Sequence, residues 1–212
     1  NLEIIFRNQS QAGSIGHAEA VDLLVSKVET PYFLLMDADC CIFKKNWDQV
    51  LLKQLGDTVK VVGTPRLLQN GQSLDDFPTV FSTLYETKSF NQLDCSFMPG
   101  PGGAAANQDT GYLIAEKFRE SGFGFKNLIA KNTRHYQQGP FGDILCAEYY
   151  LDKECKELFS CHFSRGSSNG KDKYRDGLLL KLPIFKGVVR YFSGKRDRKK
   201  WINRAYQLIN QA

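Results

Sequence analysis

Two aspartates, Asp37 and Asp39, directly follow the most strand-like run of the chain, Tyr32-Phe33-Leu34-Leu35-Met36. On extended backbone, residues two apart project to one side, so both carboxylates are expected to converge where that strand ends. In open α/β folds, ligands bind at that edge of the sheet. Paired carboxylates without a thiolate suit a hard divalent cation, Mn²⁺ or Mg²⁺, which can in turn hold a diphosphate. The plainer reading is a pair of solvated loop aspartates, and placement directly after a buried strand favours the metal. His162 sits in Cys161-His162-Phe163-Ser164-Arg165-Gly166-Ser167. Beside hydroxyls and a guanidinium it reads as a metal or phosphate contact, or as a hydrogen-bonded structural histidine. Asp109 stands just before an apolar helical pattern, where an aspartate is favoured as an N-cap.

The elements that must position these residues follow from hydrophobic period and breakers. Residues 2–6 form a short apolar run expected to be a strand, and Gly13 and Gly16 punctuate a loop. Ala18, Val21, Leu24, Val25 and Val28 recur at helical spacing, predicting a helix over about 17–27. Pro31 ends it, and residues 32–36 are continuously apolar, as in a parallel strand covered on both faces. Strand, helix and strand in that order make a βαβ unit. Further helices are expected over 46–55, 78–93 and from Asp109 to Gly122, with strands at 59–63 and near 156–163. The last amphipathic helix carries Trp201, Ala205, Leu208 and Ile209. Gly13 and Gly16 make no phosphate-cradling P-loop, because no Lys-Ser/Thr follows at the required spacing.

The chain has 212 residues, 42% hydrophobic and 24% charged, the ordinary mix of a globular protein. Its longest apolar run, residues 178–185, is broken by Lys181 and Pro183 and falls short of the ~20 residues that span a bilayer. The six cysteines contain no Cys-x-x-Cys pair and no second ligand pair at zinc spacing, which points to reduced thiols in a cytosolic protein. The net charge is +5, and eight basic residues between Lys186 and Arg204 face only Asp197. Such a run meets an anionic membrane, an anionic substrate or nucleic acid, or is simply a solvated face. Aromatic residues do not interleave with it in any nucleic-acid-binding motif, so nucleic acid is not expected as a partner.

Residues 13–20, Gly-Ser-Ile-Gly-His-Ala-Glu-Ala, followed by Pro31 to Asp39, resemble the middle of a family 2, inverting glycosyltransferase with the GT-A fold. The resemblance runs from residue 2 to about 168. It implies an α/β, Rossmann-like domain with a central, mostly parallel sheet over residues 1–170, leaving 171–212 as a basic amphipathic helical tail. It implies that Asp37 and Asp39 bind Mn²⁺ or Mg²⁺ and the diphosphate of a nucleotide-sugar. Gly16 and His17 at the glycine-bearing turn, together with Arg165, would join them in contacting that substrate. Gln108-Asp109-Thr110-Gly111-Tyr112 is similar to the family's Glu-Asp helix start, with Gln108 in place of Glu, which makes Asp109 the expected catalytic base. His162 corresponds to a further metal ligand. The family pattern has two β–α units before this segment, and the chain opens without Met inside an apolar run, so it reads as a fragment.

The chemistry fits those roles. A sugar leaving with its diphosphate builds negative charge that a cation stabilises. Inversion needs a base that deprotonates the incoming hydroxyl. The acceptor is expected to be a saccharide or a lipid-linked hydroxyl, and the protein to be cytoplasmic with peripheral contact at the inner face of the membrane. Two other readings stand beside this one: a nucleotidyltransferase with paired acids on a metal, and a non-catalytic module binding anions or membrane through its tail.

Overall fold

The computed structural model describes residues 3–6, 8, 13–67, 73–103, 106, 108–164 and 183–211. Thirteen elements follow in order: α1 (Gly13–Val25), β1 (Tyr32–Met36), β2 (Cys40–Ile42), α2 (Trp47–Leu52), β3 (Val59–Leu67), β4 (Ser73–Glu86), α3 (Thr87–Gln92), α4 (Tyr112–Ser121), β5 (Gly124–Asn127), β6 (Ile129–Asn132), β7 (Ala147–Tyr150), β8 (Leu158–His162) and α5 (Pro183–Gln211). The strands form two four-stranded sheets, β1-β4-β3-β5 and β2-β8-β7-β6.

Three apolar cores hold the layers together. In the first, Phe33, Val61, Phe77 and Tyr85 of the first sheet pack against Ala18 and Val21 of α1, Phe90 of α3, and Ile114 and Phe118 of α4. The second lies between the sheets, where Val62 and Leu84 meet Ala147, Tyr149 and Phe159, with Leu51 of α2 among them. In the third, Phe43, Phe141, Cys161 and Phe163 receive Trp201 and Ala205 of α5. Burying one such side chain contributes about 1.5–3 kcal/mol. α1 is also pinned by Asp22, which accepts hydrogen bonds from the Ser96 hydroxyl (2.5 Å) and the Phe97 amide (2.7 Å).

An α/β chain with a mixed sheet is what the structure shows. Only the β3–β5 ladder is parallel among the described residues, and the other ladders are antiparallel, so the expected mostly parallel sheet is corrected. Residues 3–6 are not in a strand, and Ile4 and Phe6 are exposed, so the anticipated βαβ unit is not formed by the described residues. The helix expected over 78–93 is instead most of β4, followed by short α3. The helical reading fails because the segment is buried on both sides, with Leu84 in the inter-sheet core and Tyr85 in the first core. β-branched and aromatic residues favour that environment. Pro78 is tolerated in this central strand because it stands opposite Pro65 of β3, where the register slips. Two residues without N–H share the same defective rung, as prolines in sheets require.

α5 is one continuous helix of 29 residues. Its Trp201 indole donates to Cys161 Sγ (3.1 Å) and packs on the Phe141 and Phe163 rings. Lys200 (3.2 Å) and Arg204 pair with Asp143, and Arg204 also donates to the Pro140 carbonyl (2.7 Å). No described helix is long and apolar enough to cross a membrane. Because Trp201 is the largest side chain that α5 inserts, Trp201→Ala is expected to cost about 3–5 kcal/mol in urea denaturation. A loss under about 1 kcal/mol would show that α5 is held by its surface ion pairs instead.

Candidate metal centre

The Asp-Ala-Asp segment is where the backbone leaves one sheet and enters the other. The Asp37 amide still donates to the Phe81 carbonyl of β4 (3.0 Å), continuing the β1 ladder. Two residues on, the Asp39 carbonyl accepts from the Phe163 amide beyond β8 (2.8 Å). Between them the Cys40 amide donates to the Asp37 carbonyl (3.0 Å), closing a four-residue turn. The two carboxylates therefore converge by a turn, and not by the extended alternation expected from their spacing.

β8 delivers the third group. His162 is 5% exposed, and its Nε2 lies 3.1 Å from Asp39 Oδ1 and 3.7 Å from Asp37 Oδ2. One ligand atom from each of the three side chains falls within 4.8 Å of the others, so together they could hold a metal ion. The fit lies in the chemistry of the donors: two hard carboxylate oxygens and one imidazole nitrogen suit a divalent cation such as Mn²⁺.

The surroundings of His162 fix its ring. Phe81 lies against one face, with ring centroids 4.3 Å apart, and the Ser164 hydroxyl is 3.2 Å from Nδ1. An ionised Asp39 can only accept, so Nε2 carries the proton and Nδ1 accepts from Ser164. With Nε2 on a cation, the ring proton belongs on Nδ1 and Ser164 becomes its acceptor, the usual outer partner of a ligating histidine. Ser164 holds this position with φ of 62°, a left-handed conformation that costs a non-glycine residue on the order of 1 kcal/mol. Such strain persists only where surrounding contacts demand it.

Two of the candidate aspartates, Asp37 and Asp109, are shifted in opposite directions. Burial pushes the Asp37 carboxyl up, the charge of Asp39 pushes it further, and His162 and His17 oppose them. Burial would also raise Asp109. The Ser14 hydroxyl, the Thr110 amide and the Arg66 guanidinium outweigh it and hold that carboxyl below the usual range. The amide contact, Thr110 N to Asp109 Oδ1, is 2.8 Å.

Asp109 is not the helix cap. The N-cap of α4 is Gly111, in a left-handed conformation at φ 80°, and no side chain caps the first turn. The carboxylate is bound instead to Thr110 and to Ser14 on α1. Ser14 and His17 are three residues apart on α1, hence neighbours on one helical face. One turn of α1 thus touches Asp109 through Ser14 and acts on Asp37 through the charge of His17. Gly16 lies inside α1, buried, and not in a loop, because the helix begins at Gly13. His17 is exposed. Arg165 lies outside the described residues. Phe81, Ser164, Ser14 and Arg66 belong to these surroundings without having been singled out as a site from the sequence. Only Ser164, beside His162, carried a local signal.

A raised Asp37 means that its ionised form is penalised in the folded state at neutral pH and relieved by protonation as pH falls. Asp37→Asn is therefore expected to raise the melting temperature of metal-free protein at pH 7, with the gain vanishing in acid where Asp37 is itself neutral. Asp109 has the opposite sign: its contribution is present above the ordinary carboxylate value and lost as pH falls through its depressed one. Asp109→Asn should accordingly lower stability at pH 7 and converge with the parent in acid. A scan of melting temperature against pH checks both, and parallel curves for parent and variant would refute the assigned shift. No family model, no curated protein and no solved structure matches this chain, so the chemistry rests on the site's own residues.

Proposed function

We propose that this protein is a metal-assisted, inverting glycosyltransferase that moves a sugar from a nucleoside diphosphate to an acceptor hydroxyl. The observation that carries the reading is the meeting of Asp37, Asp39 and His162, brought from two sheets to within ligand distance of one another. An isolated Asp-x-Asp is common by chance, whereas one joined by a buried, oriented imidazole is an arrangement with a use. The donor set suits Mn²⁺ or Mg²⁺, with the imidazole favouring Mn²⁺.

When bound, the cation neutralises the charge that develops on the departing diphosphate. The protein's own part is division of labour between carboxylates. Asp37 and Asp39 supply hard oxygen ligands, and Ser164 and Phe81 keep the His162 ring aligned with them. Asp109 stays ionised beside Ser14, Thr110 and Arg66, as a group must be to accept the proton of an incoming hydroxyl. It stands on a different loop from Asp37 and Asp39, next to the first turn of α1.

Calorimetric titration of Mn²⁺ in the presence of a nucleoside diphosphate is expected to show one site, abolished by Asp39→Ala. Ser164→Ala should weaken it by about 10–100-fold, the usual effect of removing a ligating histidine's outer partner. Unchanged binding in Asp39→Ala would remove the metal centre from this proposal. Asp109→Asn is expected to retain metal and donor binding while losing about 10²–10⁴-fold in sugar transfer. Full turnover in that variant would exclude Asp109 as the base.

A further inference from the structure

α5 has two working faces. Trp201, Ala205, Gly194 and Asp197 are buried on one side, where the third core and the ion pairs to Asp143 anchor the helix. On the outer side Val188, Phe192, Lys195, Lys199, Ile202, Tyr206 and Ile209 succeed one another at alternating steps of four and three, with Ile202 at the margin, half-buried against the third core. At about 100° per residue this spacing makes one continuous stripe, reaching about 32 Å from Val188 to Ile209 at the helical rise. Phe192 is 63% and Tyr206 64% exposed, with Val188, Tyr191 and Ile209 exposed beside them. Lys195 and Lys199 sit in the middle of the stripe, and neither meets a carboxylate among the described residues; Arg196 and Arg198 flank it. A shallow groove of about 280 Å³ runs along it between Tyr191, Lys195, Arg198, Lys199, Ile202 and Asn203.

The geometry points to this stripe as a docking face for an anionic lipid bilayer, with α5 lying in the interface plane and the α/β body carried on its other side. Three features select that occupant. The single acid of α5, Asp197, is turned away and buried, so the charges on the outer face are all cationic. Aromatic and aliphatic groups stand on either side of the lysine pair, so they can enter the headgroup layer while lysine stems snorkel outward, as in amphipathic helices of bilayer interfaces. A second copy of α5 on the same stripe would bring Lys195 and Lys199 against their own counterparts, which a helix–helix seam disfavours. Nucleic acid would satisfy the charges and leave Val188, Phe192 and Ile209 without a role. The docking is independent of the metal centre and would hold whatever reaction the domain performs.

Co-sedimentation of the full chain with vesicles tests it. Phosphatidylcholine vesicles containing phosphatidylglycerol should retain the protein at least about tenfold better than phosphatidylcholine alone, each basic group near such a surface adding to the attraction. Added salt should release it as screening shortens to ~8 Å and below. Lys195→Glu with Lys199→Glu should abolish binding, and Phe192→Ser should weaken it. If the charge-reversed chain fails to match the parent by circular dichroism, Lys195→Gln with Lys199→Gln serves in its place and should still reduce binding. Equal partitioning onto neutral and anionic vesicles, no binding to either, parent-like binding by a folded lysine variant, or release of the protein from vesicles by equimolar RNA would overturn the inference.

Discussion

The molecule is organised around one short passage of backbone. At Asp37-Ala38-Asp39 the chain stops pairing with β4 and begins pairing with the end of β8, so each aspartate belongs to a different sheet while their side chains share one space. The turn between them is held from both sides, by the Phe81 carbonyl and by the Phe163 amide. Much else follows from keeping those two sheets face to face. The inter-sheet core of Val62, Leu84, Tyr149 and Phe159 sets their separation. Leu128, between β5 and β6, donates its amide to Gly63 (2.8 Å) and so ties the sheets together at a second point. Phe81 serves twice, its carbonyl in the ladder and its ring against His162.

Charge is distributed around this passage so that two carboxylates have different tendencies. Asp37 is half-buried beside another acid, an arrangement that favours neutralisation by a proton or by a cation. Asp109 is surrounded by donors and an arginine, an arrangement that favours the naked anion. Carboxylates pushed apart in this way can carry different roles within one site. The first turn of α1 acts on both, Ser14 holding Asp109 down through a hydrogen bond and His17 partly opposing the rise that burial imposes on Asp37.

The parts of this arrangement that lie close together in the chain were legible before the structure. An apolar run ending in Asp-x-Asp marked β1, Gly122 marked the end of α4, and the C-terminal pattern marked α5. His162 was legible through its polar neighbours, although nothing in its surroundings said that it would reach residues 123 positions away. What could not be read was set by pairing. β4 has no clean period because both its faces are buried, and strand direction is decided by long connections that leave no local trace. The same reason hid Phe81 and Arg66: each sits in a strand with an ordinary composition, and only the ladder brings it to an aspartate. The reading of Asp109 as a cap failed for a local reason, since a glycine two residues later takes the left-handed position at which α4 begins.

The Trp201 indole rests with its N–H on a thiol sulfur, that of Cys161. Thiols drain the excited state of a neighbouring indole, so this residue should be dim while α5 is seated and brighten when the helix lifts. The other tryptophan, Trp47 on α2, packs beside the inter-sheet core. The chain thus contains its own optical gauge of whether the helix is seated.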